Sequence, residues 1–212
     1  SIRRSPSVPS TCPTFGQTIS PRANAAATTR SATFAARANG RFVSFTSESS
    51  NLVPGDSNGL ADIFLRDRDT DADGLFDEPA AVSTTRVSVG SSGFEQEIVQ
   101  GVDVSVRSSI SADGRLVIFW SAADNLVPGD TNGALDVFAH DRAAWSLTSL
   151  LAAATSQAVL SGNGRWLAFT FEGHVYVRDR TRADGAQGAT TPVDVTGAAT
   201  PGNGTSGAPD LS

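Results

Sequence analysis

The stretch Asp69-Thr-Asp71-Ala-Asp73-Gly74-Leu75-Phe-Asp77-Glu78 carries the sharpest chemistry in the chain. Oxygen-bearing side chains at alternating positions around a glycine suit a hard cation, which wants roughly six to eight oxygen ligands from a loop that turns sharply. Asp69, Asp71, Asp73 and Asp77 offer carboxylates and Leu75 offers a backbone carbonyl. Four carboxylates this close repel one another without a counter-ion, so calcium is the expected cofactor; the competing reading is an acidic, solvated loop. The pattern is not an EF-hand, because the twelfth position is Ala80 and Glu78 comes too early.

A weaker set recurs twice. Pro54-Gly-Asp56-Ser-Asn58-Gly-Leu-Ala-Asp62 and Pro128-Gly-Asp130-Thr-Asn132-Gly-Ala-Leu-Asp136 place three oxygen side chains in the same order. A calcium clip through Asp56, Asn58 and Asp62, and again through Asp130, Asn132 and Asp136, stands against simple turn chemistry. Pro-Gly-Asp and Asn-Gly are turn residues whose side chains cap their own backbone.

Little else invites catalysis, and the chain is expected not to be an enzyme. There is no G-x-S-x-G elbow. Gly202-Asn-Gly204-Thr-Ser-Gly207 spells a dinucleotide fingerprint in a Gly/Pro/Thr-rich connection with no helix to follow. Asp67-Arg68, Asp141-Arg142 and Asp179-Arg180 recur in one phase, which favours a structural ion pair over a glycosidase carboxylate pair. His140 stands where Arg66 and Arg178 stand, on a face expected to be solvated, and His174 stands where Asp62 and Asp136 stand. Trp120, Trp145 and Trp166 are expected in packing rather than in a sugar platform.

The elements that must position these residues come from an internal repeat. Residues 41–68 match residues 115–142 at 16 of 28 positions without a gap, and residues 165–180 form a third copy lacking the twelve-residue insert. The insert is therefore a loop. Each copy is preceded by a short apolar run and a turn, Asn39-Gly40, Asp113-Gly114 or Asn163-Gly164, the strongest short hairpin signal. A further strand is expected near 84–89, 146–151 and 192–196, giving four strands per repeat; for 143–160 an amphipathic helix is the rival.

Ser111-Ala-Asp113-Gly-Arg-Leu-Val-Ile-Phe119, followed by the Asn-Leu-Val-Pro-Gly-Asp insert and Asp-Val-Phe, resembles the TolB-like (WD-like) β-propeller repeats of bacterial secreted and periplasmic proteins, over about residues 31–212. The 69–77 loop is similar to the D-x-D-x-D-G-x-x-D calcium loops of integrin-type propellers. The resemblance implies an all-β fold of three four-stranded antiparallel β-propeller-like blades with partial blades at both ends. The expected units are an arm at 1–30 holding a strand of a preceding blade, blades at 31–90, 91–152 and 153–200, and the first strand of a fourth at 201–212. Propellers close with roughly four to eight blades. Such a chain is either a piece of a longer protein or pairs its open edges with copies of itself or another protein.

Composition sets the outer bounds. Of 212 residues, 16 are basic and 22 acidic, a net charge of -6 that opposes binding to nucleic acid or an anionic membrane surface. No apolar run approaches the roughly 20 residues of a membrane span, so no membrane insertion is expected. Twenty Gly, ten Pro and no Met fit short strands and turns, in a chain expected to begin inside a longer precursor. The single cysteine, Cys12, excludes an intramolecular disulfide framework. The expected role is a calcium-stabilised extracellular or cell-envelope protein in structural assembly, as an oligomer or filament, or in adhesion. The alternative is a protein- or peptide-binding module of a larger TolB-like propeller, and a hydrolase on this scaffold is a distant third.

Overall fold

The computed structural model describes residues 29–34, 40–90, 93–97, 105–151, 157–180, 190–195, 204, 206 and 209–211. Among them there are twelve strands and no helix. Blade 1 comprises β1 (Thr29–Phe34), β2 (Phe42–Ser47), β3 (Asp62–Asp67) and β4 (Ser83–Arg86). Blade 2 comprises β5 (Ser105–Ile110), β6 (Leu116–Ser121), β7 (Asp136–Asp141) and β8 (Ser146–Leu151). Blade 3 comprises β9 (Ala158–Leu160), β10 (Trp166–Phe171), β11 (His174–Asp179) and β12 (Thr190–Pro192). Each sheet is an antiparallel meander in sequence order. The expected all-β architecture of three four-stranded blades is therefore present.

The central hairpins share one register: Phe42 faces Asp67, Leu116 faces Asp141 and Trp166 faces Asp179, while Ser47, Ser121 and Phe171 face Asp62, Asp136 and His174. The inserts are loops across the far end of these hairpins. Where the insert is missing, Glu172 and Gly173 turn the chain with φ of 49° and 80°, the doubly positive backbone of the tightest hairpins. The rival helix over 143–160 is replaced by β8, the turn at 142–145 and β9. Three boundaries differ from expectation: β1 starts at Thr29, β4 ends at Arg86, and β12 ends at Pro192. The arm with Cys12 lies outside the described residues, and the described residues of 201–212 form no strand.

Burial explains why the three copies differ in polarity. Blade 2 lies between the others, so Leu116 to Ser121 is buried at every position and reads Leu-Val-Ile-Phe-Trp. The Val117, Phe119 and Phe138 face packs against Phe42, Ile63 and Leu65 of blade 1. The Leu116, Ile118, Trp120 and Val137 face packs against Leu160, Leu167 and Phe169 of blade 3. Residues two apart on a strand share a face, and facing sheets exclude water from both. A stacked pair repeats at one site per blade: Phe45–Phe64, Phe119–Phe138 and Phe169–Tyr176, with ring centroids 5.7, 5.7 and 5.6 Å apart.

The turns before the central hairpins of blades 2 and 3 each lock that blade to the previous one. Ser111 Oγ donates to Asp113 Oδ1, whose other bond is from the Arg115 N–H, and Ser161 and Asn163 repeat this with Arg165. Gly114 and Gly164 have φ of 68° and 69°. Gly114 lies on the Phe42 ring and Gly164 on Leu116, while the Ala112 N–H donates to the Gly162 carbonyl at 2.7 Å across the second junction.

Candidate metal centre

Beyond β3, carboxylate oxygens of Asp69, Asp71 and Asp73 lie within 4.8 Å of one another. Asp69 is buried; Asp71 and Asp73 face solvent. The loop is held from inside. Asp69 Oδ1 accepts from the Asp73 N–H and Oδ2 from the Gly74 N–H, both at 3.1 Å, and Asp73 Oδ1 accepts from the Leu75 N–H at 2.8 Å. Gly74, at φ 90°, makes the central turn the sequence called for. Asp77 is not with the other three: its Oδ2 receives Arg68 Nε and Nη2 at 2.9 and 2.6 Å. Burial and the negative field of Asp73, Asp71 and Asp69 push Glu78 up. The donor set fits a hard cation in three of its four carboxylates, and Asp77 would have to leave Arg68 to join them.

The insert of blade 1 encloses an arginine. Arg86, at the end of β4, places Nη1 3.1 Å from Asp56, 3.5 Å from Asp62 and 2.6 Å from Glu95, and its Nη2 donates to the Gly55 carbonyl. Asp62 also accepts from Ser88 Oγ at 2.5 Å, Gln96 Nε2 at 2.9 Å and Asn58 Nδ2 at 3.1 Å. A guanidinium thus stands among the oxygens read from the sequence as a calcium clip. Burial raises Asp62 to about 6 against the Ser88 bond, the Arg86 charge and the Asn58 bond, and raises Asp56 as well. The Asn58 side-chain Oδ1 accepts from the Leu60 N–H, so turn chemistry operates in the same loop.

In blade 2 the register puts Ser149 opposite Phe138, where blade 1 has Arg86 opposite Phe64. Asn132 Nδ2 donates to both oxygens of Asp136 at 3.3 and 3.2 Å, and its Oδ1 accepts from the Ala134 N–H at 2.7 Å. Burial, then the nearby Asp136, push Asp130 up. In blade 3, His174 Nδ1 lies 3.1 Å from Asp194 Oδ2, which also accepts from Ser206 Oγ. The Ser206 hydroxyl is turned to the carboxylate rather than to the imidazole, the reverse of a nucleophile–base pair.

The Asp-Arg dipeptides are structural, as their period implies. Arg41 grips Asp67, Arg115 grips Asp141 and Arg165 grips Asp179, each through two nitrogens. The next residue closes the turn: Arg68, Arg142 and Arg180 donate to the carbonyls of Gly40, Gly114 and Gly164 at 2.9, 2.8 and 2.8 Å. One lattice, Gly-Arg with Asp-Arg, is thus built three times.

Two expectations are corrected. His140 is buried, 2% exposed, because its face of blade 2 is covered by blade 1 and Trp145 meets the imidazole edge-on at 5.2 Å. Burial lowers its pKa, and its Nδ1 finds no hydrogen-bond partner among the described residues. Of the three tryptophans only Trp120 is core; Trp145 sits in a turn at φ 48° and Trp166 opens the inner strand β10 at one end of blade 3, both exposed. Sequence reading passed over Arg86, Glu95 and Gln96. The one available signal was an arginine closing the Ser-Thr-Thr run of β4 with no counterpart in the other repeats.

Three meanders stacked face to face in one register define a propeller-type repeat protein. No family profile and no curated protein matches the chain. Among solved structures it is similar to the β-propeller domain of the Trilobed protease from Pyrococcus furiosus, at 11% identity and a TM-score of 0.44, over 79% of this chain and 43% of that one. It is also similar to TolB from Acinetobacter baumannii, at 19% identity and a TM-score of 0.39, over 72% and 29% of the two chains. The chain spans less than half the length of either. Among the described residues no helix is long and apolar enough to cross a membrane.

Proposed function

We propose that the chain is a non-enzymatic, calcium-stabilised propeller-repeat protein of the extracellular space or cell envelope that acts in structural assembly or adhesion. The convergence of Asp69, Asp71 and Asp73 on one point, within 4.8 Å, carries the calcium part of this reading. Bound there, the ion would neutralise the three carboxylates and draw in further oxygens from Asp77, the Leu75 carbonyl or water. The non-enzymatic part is supported by how the reactive side chains are used: the Asp-Arg pairs brace turns and Arg86 braces the first insert. A second reading, a protein- or peptide-binding piece of a larger TolB-like propeller, is favoured by the exposed Trp166 ring at the start of β10.

Electron micrographs of the purified chain with calcium and with a chelator test the choice. Assemblies that disperse on chelation support the first reading. Isolated particles in both conditions contradict it and favour the second.

A further inference from the structure

We propose that Asn132 is a modification site at which the chain converts its own side-chain amide to a carboxylate, an irreversible change that loosens the insert of blade 2 as the protein ages. The site stands apart from the 69–78 loop and from any assembly.

Three Asn-Gly pairs lie within the described residues: Asn58-Gly59, Asn132-Gly133 and Asn163-Gly164. A glycine has no side chain to shield its own nitrogen, so its N–H, once it gives its proton to hydroxide, attacks the Cγ of the preceding Asn. The new C–N bond closes a cyclic succinimide, and Nδ2 leaves as ammonia with a proton taken from water. A second water then opens the ring. Opening at one carbonyl leaves an aspartyl residue and at the other an isoaspartyl residue, whose main chain runs through the side-chain carbon. Water is consumed, ammonia is released, and nothing is oxidised or reduced.

The three pairs differ in what holds the reacting atoms. The Gly164 N–H is buried and donates to the Ser161 carbonyl at 2.8 Å, while Asn163 Oδ1 accepts from Ser161 Oγ at 2.7 Å and from the Arg165 N–H at 3.0 Å. Nucleophile and electrophile are both fixed in that turn. In the two inserts the glycine N–H has no hydrogen-bond partner among the described residues, and Gly59 and Gly133 lie at φ 68° and 59° with open space around them. Each Asn Oδ1 there accepts from the N–H two residues on, Leu60 at 3.0 Å and Ala134 at 2.7 Å, a donor that steadies the negative charge arriving on that oxygen during attack.

Restraint separates the two inserts. Ser57, beside Asn58, gives its N–H and its hydroxyl to Glu95 at 2.9 and 2.7 Å, and Arg86 holds Asp56 at 3.1 Å. Asn58 is half-buried, and its Nδ2 reaches both Asp62 and the Gln96 carbonyl. Blade 2 has Ser149 where Arg86 stands, and the Asn132 side chain bonds only to Ala134 and Asp136, within the insert and the strand it enters. Asn132 and Gly133 are both exposed, so they reach the attack geometry at the lowest cost. The consequence falls on Asp136, which is 2% exposed and accepts Asn132 Nδ2 at both oxygens. Conversion replaces that donor by a negative oxygen beside Asp136, trading attraction for like-charge repulsion. At position 163 the same conversion is harmless, because blade 2 carries Asp113 in that place with the same bonds from Ser111 and Arg115.

Ageing the folded 212-residue chain at mildly alkaline pH, with peptide mapping by mass spectrometry and isoaspartate detection, reads the three sites separately. Asn132 is expected to convert at least about tenfold faster than Asn163 and severalfold faster than Asn58, whereas in urea the three rates converge. Arg86→Gln, shown to be folded by circular dichroism, frees the first insert and raises the Asn58 rate toward that of Asn132. Asn132→Asp lowers the melting temperature and Asn163→Asp does not. If Asn58 or Asn163 converts as fast as Asn132 in the folded wild type, the site is wrong. If Asn132→Asp melts with the wild type, the loosening is wrong.

Discussion

Gly114 lies so close on the ring of Phe42 that a Cβ would come within 2.6 Å of three ring carbons. The glycine is required twice, once by its φ of 68° and once by the ring of the neighbouring blade. Gly114→Ala is expected to destabilise by about 3 kcal/mol, the sum of a left-handed backbone penalty and an overpacked junction. Gly55→Ala, also at positive φ but with open space around it, costs about 1 kcal/mol. Urea unfolding compares the two, and Phe42→Leu in the Gly114→Ala background recovers part of the loss.

The three Arg–Asp pairs are chemically alike and differently buried. Arg41 and Asp67 are 25% and 9% exposed, against 58% and 25% for Arg115 and Asp141. Arg41→Gln is expected to cost about 2 kcal/mol, because it strands a buried carboxylate, and Arg115→Gln less than about 1 kcal/mol. Acid unfolding adds a sign. Burial pushes Asp67 up, but the Arg41 bond, the Asp69 N–H bond and the charges of Arg41 and Arg142 together outweigh it and hold the carboxyl below its ordinary value. The stability this pair supplies is present above the unfolded value of 3.8 and is lost as pH falls through the folded value. Arg41→Gln reduces that acid-side loss, since it takes away the Arg41 bond and charge and leaves the Asp69 N–H and Arg142 in place.

Asp62 has the opposite sign. Its folded value, about 6, lies above the unfolded 3.8, so the folded state holds the proton more tightly and stability falls as pH rises between them. Asp62→Asn is therefore expected to gain on wild type by as much as roughly 3 kcal/mol between pH 4 and pH 7, with Arg86 still paired to Asp56 and Glu95. Thermal melts of both proteins across this range measure the difference. A difference that stays constant with pH contradicts the account.

Much of this was legible in the chain because it was written more than once. The Gly-Arg and Asp-Arg pairs, the insert and the turn residues recur in phase, and phase fixes both the strands and the face each residue takes. What occurs once was not legible. Arg86 closes a single β4 strand, and nothing in its spacing ties it to Asp56 and Asp62 across the sheet. His140 was misread because Arg66 and Arg178 at its position are only half-buried, whereas the shorter imidazole lies wholly beneath blade 1 and the Trp145 ring. Trp145 was misread because it is a turn residue at φ 48° within a run whose apolar spacing also suits a helix. The convergence of Asp69, Asp71 and Asp73 followed from their alternation, whereas the capture of Asp77 by Arg68 depends on the arginine that closes β3.

Calorimetry of the intact chain in calcium and in chelator bears most directly on the claim that an ion holds the 69–78 loop. The account predicts a melting temperature that rises with calcium, by the equivalent of about 2.7 kcal/mol at a hundred times the dissociation constant. The rise should vanish in Asp71→Asn/Asp73→Asn, while Asp130→Asn retains it. Superimposable endotherms in calcium and chelator would contradict it.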